Sequence, residues 1–251
     1  MKKWLGICLL WAFLIIPWTG QAETWRDSFQ QHIKQWAAEL AQQDPRFASF
    51  TEAVYTYEGL GPNSKQWLIT FSKDEVNVGY MVVGEDPSGF VLLEYGLGEY
   101  VLFDQLGMVP NTLQLEKHYA GLESVWVEEG RIYDAKSGEQ YPGEAAIVPP
   151  IITSRIGIET SLASASHHPP DMLVEPWIKP GEVIQEDSQL KERMANSEIS
   201  FIARLFQNTV IAPFKVVGYH QWGEELFVEL DDYGSRYIPY QYAVKVGGFY
   251  Q

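Results

Sequence analysis

Three runs rich in β-branched and aromatic residues, Gln66–Phe71, Val76–Gly84 and Phe90–Tyr95, follow one another with only a few residues between them. Connections that short join antiparallel strands, because a parallel return needs a crossover of a dozen or more residues. Asp86-Pro87-Ser88-Gly89 supplies turn chemistry between the second and third runs. The segment therefore reads as an antiparallel meander. Ahead of it, Trp25, Phe29, Ile33, Trp36 and Leu40 recur at helical spacing and form one apolar stripe. Asp44-Pro45 interrupts that stripe. A shorter stripe of Phe47, Phe50, Val54 and Tyr57 predicts a second helix, which Gly59-Leu60-Gly61-Pro62-Asn63 ends. Helices packed on an antiparallel sheet make the fold class α+β.

Further along, Leu122–Glu128 and Arg131–Asp134 predict a hairpin around Glu129-Gly130, and Thr112–Tyr119 a short helix. Residues 144–180 are rich in proline, with a small, polar stretch at Ser161–Ser166, and read as a linker or surface loop. That segment divides a helix-on-sheet unit (23–143) from a smaller C-terminal unit (181–251). In the latter, Leu190, Met194, Ile199, Ile202 and Phe206 predict a helix broken near Asn196. Strands follow at Phe214–Trp222, Leu226–Leu230 and Arg236–Val246, with a turn at Asp231–Ser235. Val78-Gly79-Tyr80 recurs as Val217-Gly218-Tyr219, a faint echo that shared strand composition explains more readily than duplication.

The first 22 residues read as an export signal rather than as fold. Lys2 and Lys3 precede an apolar run from Trp4 to Ile16, Pro17 breaks it, and Gly20-Gln21-Ala22 offers a cleavage site. Removal takes away Cys8, the single cysteine, so neither disulfides nor a thiol nucleophile remain. It also deepens the net charge from −15 to −17. Such a chain repels a phosphate backbone, which argues against nucleic acid and leaves a basic partner open. A secreted, extracytoplasmic bacterial protein is expected, with no transmembrane segment after cleavage.

Recognisable catalytic kits are missing from the sequence. Ser188 and Lys191 have Ser-x-x-Lys spacing but no companion motif. His32, His118 and His220 are scattered, while His167-His168 with Asp171 is the densest ligand cluster; adjacent side chains in an extended segment point opposite ways, so both rings rarely bind one ion. Asp231-Asp232 lacks the alternating oxygen ligands of a calcium loop, and Gly96-Leu97-Gly98 lacks the third glycine of a phosphate loop. Glu94, Glu99, Asp104, Glu128, Glu129, Glu224, Glu225 and Glu229 are candidates for a glycosidase-type carboxylate pair. Glu94 stands out for its apolar surroundings, although a solvated strand position is expected. Trp67, Trp126 and Trp222 fall on expected strands, where a sugar-stacking row is an option. No catalytic, cofactor-binding or metal-ligating residue is assigned.

Gly79-Tyr80-Met81-Val82-Val83, continuing to Val91-Leu92-Leu93-Glu94-Tyr95-Gly96, resembles a strand pair in propeptides of secreted papain-like and streptopain-type bacterial peptidases. Tyr133-Asp134-Ala135-Lys136-Ser137-Gly138-Glu139 resembles the hairpin that closes PepSY-type modules. The resemblance covers residues 66–141 and implies a helix-on-sheet module, non-catalytic, that docks on a peptidase. The expectation is an exported protein-binding module without cofactor, a regulator or inhibitor of a secreted peptidase; its partner is another secreted or cell-surface protein. The alternatives are a carboxylate-dependent cell-wall glycan hydrolase and a wall-sugar binding module.

Overall fold

The computed structural model describes residues 19–61, 65–104, 115–141, 156–168, 182–184 and 186–251. The leader up to residue 18, Asp171 and most of the proline-rich segment lie outside them.

Helix α1 (Thr19–Gln43) carries the expected stripe, with Phe29, Ile33, Trp36 and Leu40 all buried. Asp44 stops it and caps a 3₁₀ helix (Pro45–Thr51), accepting a hydrogen bond from the Arg46 amide while Pro45 fills the first position. Strands β1 (Val54–Gly59), β2 (Gln66–Lys73), β3 (Val76–Asp86) and β4 (Gly89–Leu97) form the predicted meander. A small sheet follows in β5 (Glu116–His118), β6 (Val125–Glu128) and β7 (Arg131–Asp134). Next come β8 (Leu162–His167), β9 (Val183–Ile184) and α2 (Asp187–Met194). A second meander, β10 (Ile199–Leu205), β11 (Val210–Trp222), β12 (Glu225–Asp231) and β13 (Ser235–Pro239), leads into α3 (Tyr240–Val246) and β14 (Gly247–Tyr250).

The class is α+β, and the two meanders share one sheet of order β1-β2-β3-β4-β13-β12-β11-β10-β14-β9, with β8 also on β11. They meet at a seam of three antiparallel pairs, Ser235↔Leu97, Arg236↔Gly96 and Tyr237↔Tyr95. One face packs under α1 and the 3₁₀ helix, through Ile69, Phe71, Met81, Tyr95, Phe227 and Tyr237. The opposite face packs under the small sheet through Leu68, Tyr80, Val82 and Leu93, and under α2 and α3 through Phe201, Val228 and Ile238. Among the described residues no helix is long and apolar enough to cross a membrane.

Several local expectations are corrected. Val54 and Tyr57 belong to strand β1, because edge pairing with β2 outweighs a helical spacing only two turns long. Ile199–Leu205 is strand rather than helix, and Phe206 lies in the turn that follows: Ile199, Phe201, Ala203 and Leu205 alternate inward. Leu162–His167, expected as loop, pairs with β11, and Glu116–His118, expected as helix, pairs with β6. Tyr240–Val246 winds into α3, where Pro239 closes β13.

The β2–β3 turn is two residues long, Asp74 and Glu75, both at positive φ (52° and 66°), as a mirror-image hairpin turn requires. A glutamate is costly there. Glu75→Gly should stabilise the protein by about 1 kcal/mol, read as a higher midpoint in urea unfolding.

Candidate functional site

The seam gathers most of the buried polar groups, and strand alternation sorts them onto two faces. Glu94 and Tyr95 are neighbours in β4, Arg236 and Tyr237 neighbours in β13; each pair sends one side chain to either side of the sheet. A register shift at Val82/Val83 makes this possible for Glu94, since the bulged Leu93 sets it opposite Val82 on the small-sheet face.

On that face Arg236 donates to both oxygens of Glu94, from Nε to Oε1 at 2.9 Å and from Nη2 to Oε2 at 3.2 Å. It also reaches Asp232 at 2.9 Å and the Gly121 carbonyl at 2.7 Å. Tyr80 and Tyr119 donate their hydroxyls to the same carboxylate, at 2.6 and 3.1 Å. A side chain at Gly96 would lie 2.5 Å from the Tyr80 ring and from the Ser235 carbonyl, so this approach requires glycine. Lys136 is buried nearby, its ammonium donating to the Tyr100 carbonyl and lying 5.4 Å from the Tyr80 ring centre. Burial pulls this lysine down to about 8, against the pull of Asp232 and Glu94.

Under α1, Arg46 forms a fork between two carboxylates. It holds Asp44 through Nη2 at 2.6 Å, and Glu229 through Nη1 at 2.7 Å and Nη2 at 3.1 Å. Ser235 donates to Glu229 at 2.6 Å. The Nδ1 atom of His167 lies 2.6 Å from Arg46 Nη1 and 3.0 Å from Glu229 Oε2; it accepts from the guanidinium when unprotonated and donates to the carboxylate when protonated. Behind them a relay runs from Trp222 Nε1–H to the Tyr95 hydroxyl (2.9 Å), on to His220 Nδ1 (2.9 Å), and from His220 Nε2–H to Asp44 (3.1 Å). Tyr95 and Tyr237 stack across the seam at 4.8 Å, with His220 stacked 4.3 Å from Tyr237. Gly218 makes room, because a Cβ there would lie 2.3 Å from Glu229 Oε2.

Burial alone would raise both carboxylates. The hydrogen bonds of His220 and Arg46 overcome it at Asp44 and hold that group well below the usual range; those of His167 and Arg46 bring Glu229 to about 2. Burial lowers His220 despite Asp44 and keeps the ring neutral, which fits its one donor and one acceptor role. A carboxylate at about 2 is no general acid near neutrality.

Glu94 is therefore buried and arginine-bound rather than solvated. It lies on the opposite face from Glu229, so these two cannot flank one glycosidic bond. Asp104 accepts from Asn77 at the surface, Glu129 sits in the β6–β7 turn, and Glu224 and Glu225 lie at the β11–β12 turn. Glu128 is buried, with Oε1 lacking a partner and Tyr133 at 3.5 Å from Oε2. His167 and His168 diverge, the latter meeting Ser166 at 3.2 Å; His32 bonds the Ser28 carbonyl, and His118 meets Glu116. Lys191 reaches Gln221 at 3.3 Å. Trp126 and Trp222 are buried and Trp67 half-buried, so they form no exposed row. Among the described residues no three His, Cys, Asp or Glu are grouped to hold a metal ion. No local sequence signal marks Arg46, Arg236 or Tyr237 as site residues; Tyr95 stands out only within the resemblance motif and Asp44 only as a helix stop.

No protein-family model and no curated protein matches this chain.

Arg46→Met should destabilise the fold by about 3–5 kcal/mol in urea, since it leaves Asp44 and Glu229 buried without their cation. Adding Glu229→Gln should recover part of that loss. For Lys136, the folded value of about 8 lies below the ordinary 10.5, so its burial penalty is full below pH 8 and relieved as pH rises towards 10.5. The stability advantage of Lys136→Met over wild type should therefore shrink across that window in urea titrations.

Proposed function

We propose that this chain is an exported, non-catalytic protein-binding module that takes an extended segment of a secreted or cell-surface partner onto the outer edge of β1. A secreted peptidase is the first partner to test. The observation that carries the reading is the edge itself. Strand β1 pairs with β2 over six consecutive residues without a bulge, and among the described residues no strand covers its other side. Val54 is 75 % and Tyr57 39 % exposed, and the strand contains no proline and one charged residue, Glu58. Natural edges are usually blunted by bulges, prolines or several charges; one left plain is a template for strand addition. In that mode main-chain hydrogen bonds supply affinity and alternate side chains supply selectivity.

The leader-like segment, the acidic charge and the resemblance of residues 66–141 to peptidase propeptides support the same reading. The arginine-bound state of Glu94 and Glu229 takes the most prominent carboxylates away from the hydrolase alternative.

The test mixes the processed protein with secreted peptidases of its source and follows co-elution and inhibition. Thr56 and Tyr57 are neighbours, so one backbone N–H points towards β2 and the other outward. Proline at the outward position should leave the melting temperature unchanged and abolish the complex; proline at the inward position should lower it. A complex that survives the outward proline, or no complex with any of these peptidases, overturns the proposal.

A further inference from the structure

At one end of the seam two tyrosines, one from each meander, stand together in solvent. Tyr100 follows β4 and is 48 % exposed; Tyr233 sits in the β12–β13 turn and is 57 % exposed, with ring centres 6.3 Å apart at 64°. The turn holds them close, since Gly98 and Gly234 approach each other directly beneath. Tyr233 has a positive φ of 50°, a conformation that asparagine or glycine adopts more readily. Its ring is too exposed for packing to offset that strain. A sequence that keeps a strained, exposed tyrosine in a turn has a use for the ring outside the fold.

The surrounding charge defines what the ring would meet. Partial burial, and after it the charges of Glu139, Asp232 and Asp134, raise the Tyr233 hydroxyl. Asp232 is engaged by Arg236 and Asp134 by its own turn, whereas Glu139 is exposed. Two open aromatic faces near an exposed carboxylate complement a flat cation. A guanidinium stacks on tyrosine through its plane and donates to carboxylates from its edge, which the compact lysine ammonium does not do.

We infer that the Tyr100–Tyr233 pair is a docking point for an arginine side chain of the partner protein, separate from the β1 edge. This rests on the reading that the chain binds another protein.

The experiment uses N-acetyl-arginine methylamide as probe, with the citrulline analogue as its uncharged isostere, and follows the tyrosine ring resonances by NMR. The arginine compound should shift the rings of Tyr100 and Tyr233, and the citrulline compound should not. Tyr233→Asn should weaken the probe by about fivefold while raising the melting temperature, a combination that a packing role does not produce. Equal binding by Tyr233→Asn, or a lower melting temperature, overturns the inference. Shifts by citrulline equal to those by arginine overturn it as well. If the probe fails while a peptidase complex still forms on β1, this inference falls and the protein-binding reading stands. If the probe shifts the rings while no protein complex forms, the protein-binding reading falls and the docking role falls with it, leaving only a pair of rings that binds a guanidinium.

Discussion

Two arginine–glutamate pairs, one buried and one with a half-buried arginine, lie back to back across one sheet and hold the molecule together. The meanders meet through three residue pairs, a ladder too short to fix a junction by backbone hydrogen bonds alone. Arg236 with Glu94 braces the seam beneath the small sheet, and Arg46 with Glu229 ties the 3₁₀ helix to β12 on the other side. Each pair also fastens a peripheral element: Arg236 holds the Gly121 turn, into which Tyr242 of α3 inserts, while Arg46 meets His167 on β8. Such pairs add little net stability over apolar replacements, yet removing one partner is costly because a buried charge remains.

The same arrangement decides what the interior can do. A carboxylate that accepts two arginine bonds and two tyrosine hydroxyls, as Glu94 does, is saturated. Glu229 is saturated likewise by Arg46, Ser235 and His167. The polar groups at the centre are thus committed to one another. On the proposed reading recognition lies at the periphery, where among the described residues no strand covers the outer side of β1 and the tyrosine pair offers open rings.

Much of the scaffold was legible in the sequence for local reasons. The α1 stripe, the first meander, the β6–β7 hairpin and the Asp231–Ser235 turn follow from periodicity and turn chemistry within a few residues. Misreadings arose where two periods fit one short run. Phe47, Phe50, Val54 and Tyr57 keep helical spacing across a boundary between 3₁₀ helix and strand, and Ile199, Ile202 and Phe206 do so across a strand and the turn after it. The site was less legible than the fold. Arg46 and Glu229 are 183 residues apart, and no local pattern pairs them. A bulge that the sequence does not announce sets Glu94 on the face of the small sheet, although the apolar neighbours Leu93 and Tyr95 had marked it. The cap signal at Asp44-Pro45-Arg46 was visible as the end of a helix, while its second role, aiming a guanidinium at β12, depends on tertiary contacts.

Polar groups in so apolar a junction also answer a problem of register. Two meanders joined edge to edge can slip along one another, and a slip of one residue exchanges the faces of every side chain on the moving half. Had the seam been lined by leucine and valine alone, the slipped pairing would bury nearly as much apolar surface. With the observed residues the slip would drive Arg236 against Tyr95 and Phe47 under α1 and the 3₁₀ helix, and carry Glu229 away from Arg46 to the opposite face. Both moves strand charges in an apolar interior, at several kcal/mol per ion. The arginine–glutamate pairs therefore act chiefly against the wrong pairing, and the stacked Tyr95 and Tyr237 rings reward the right one.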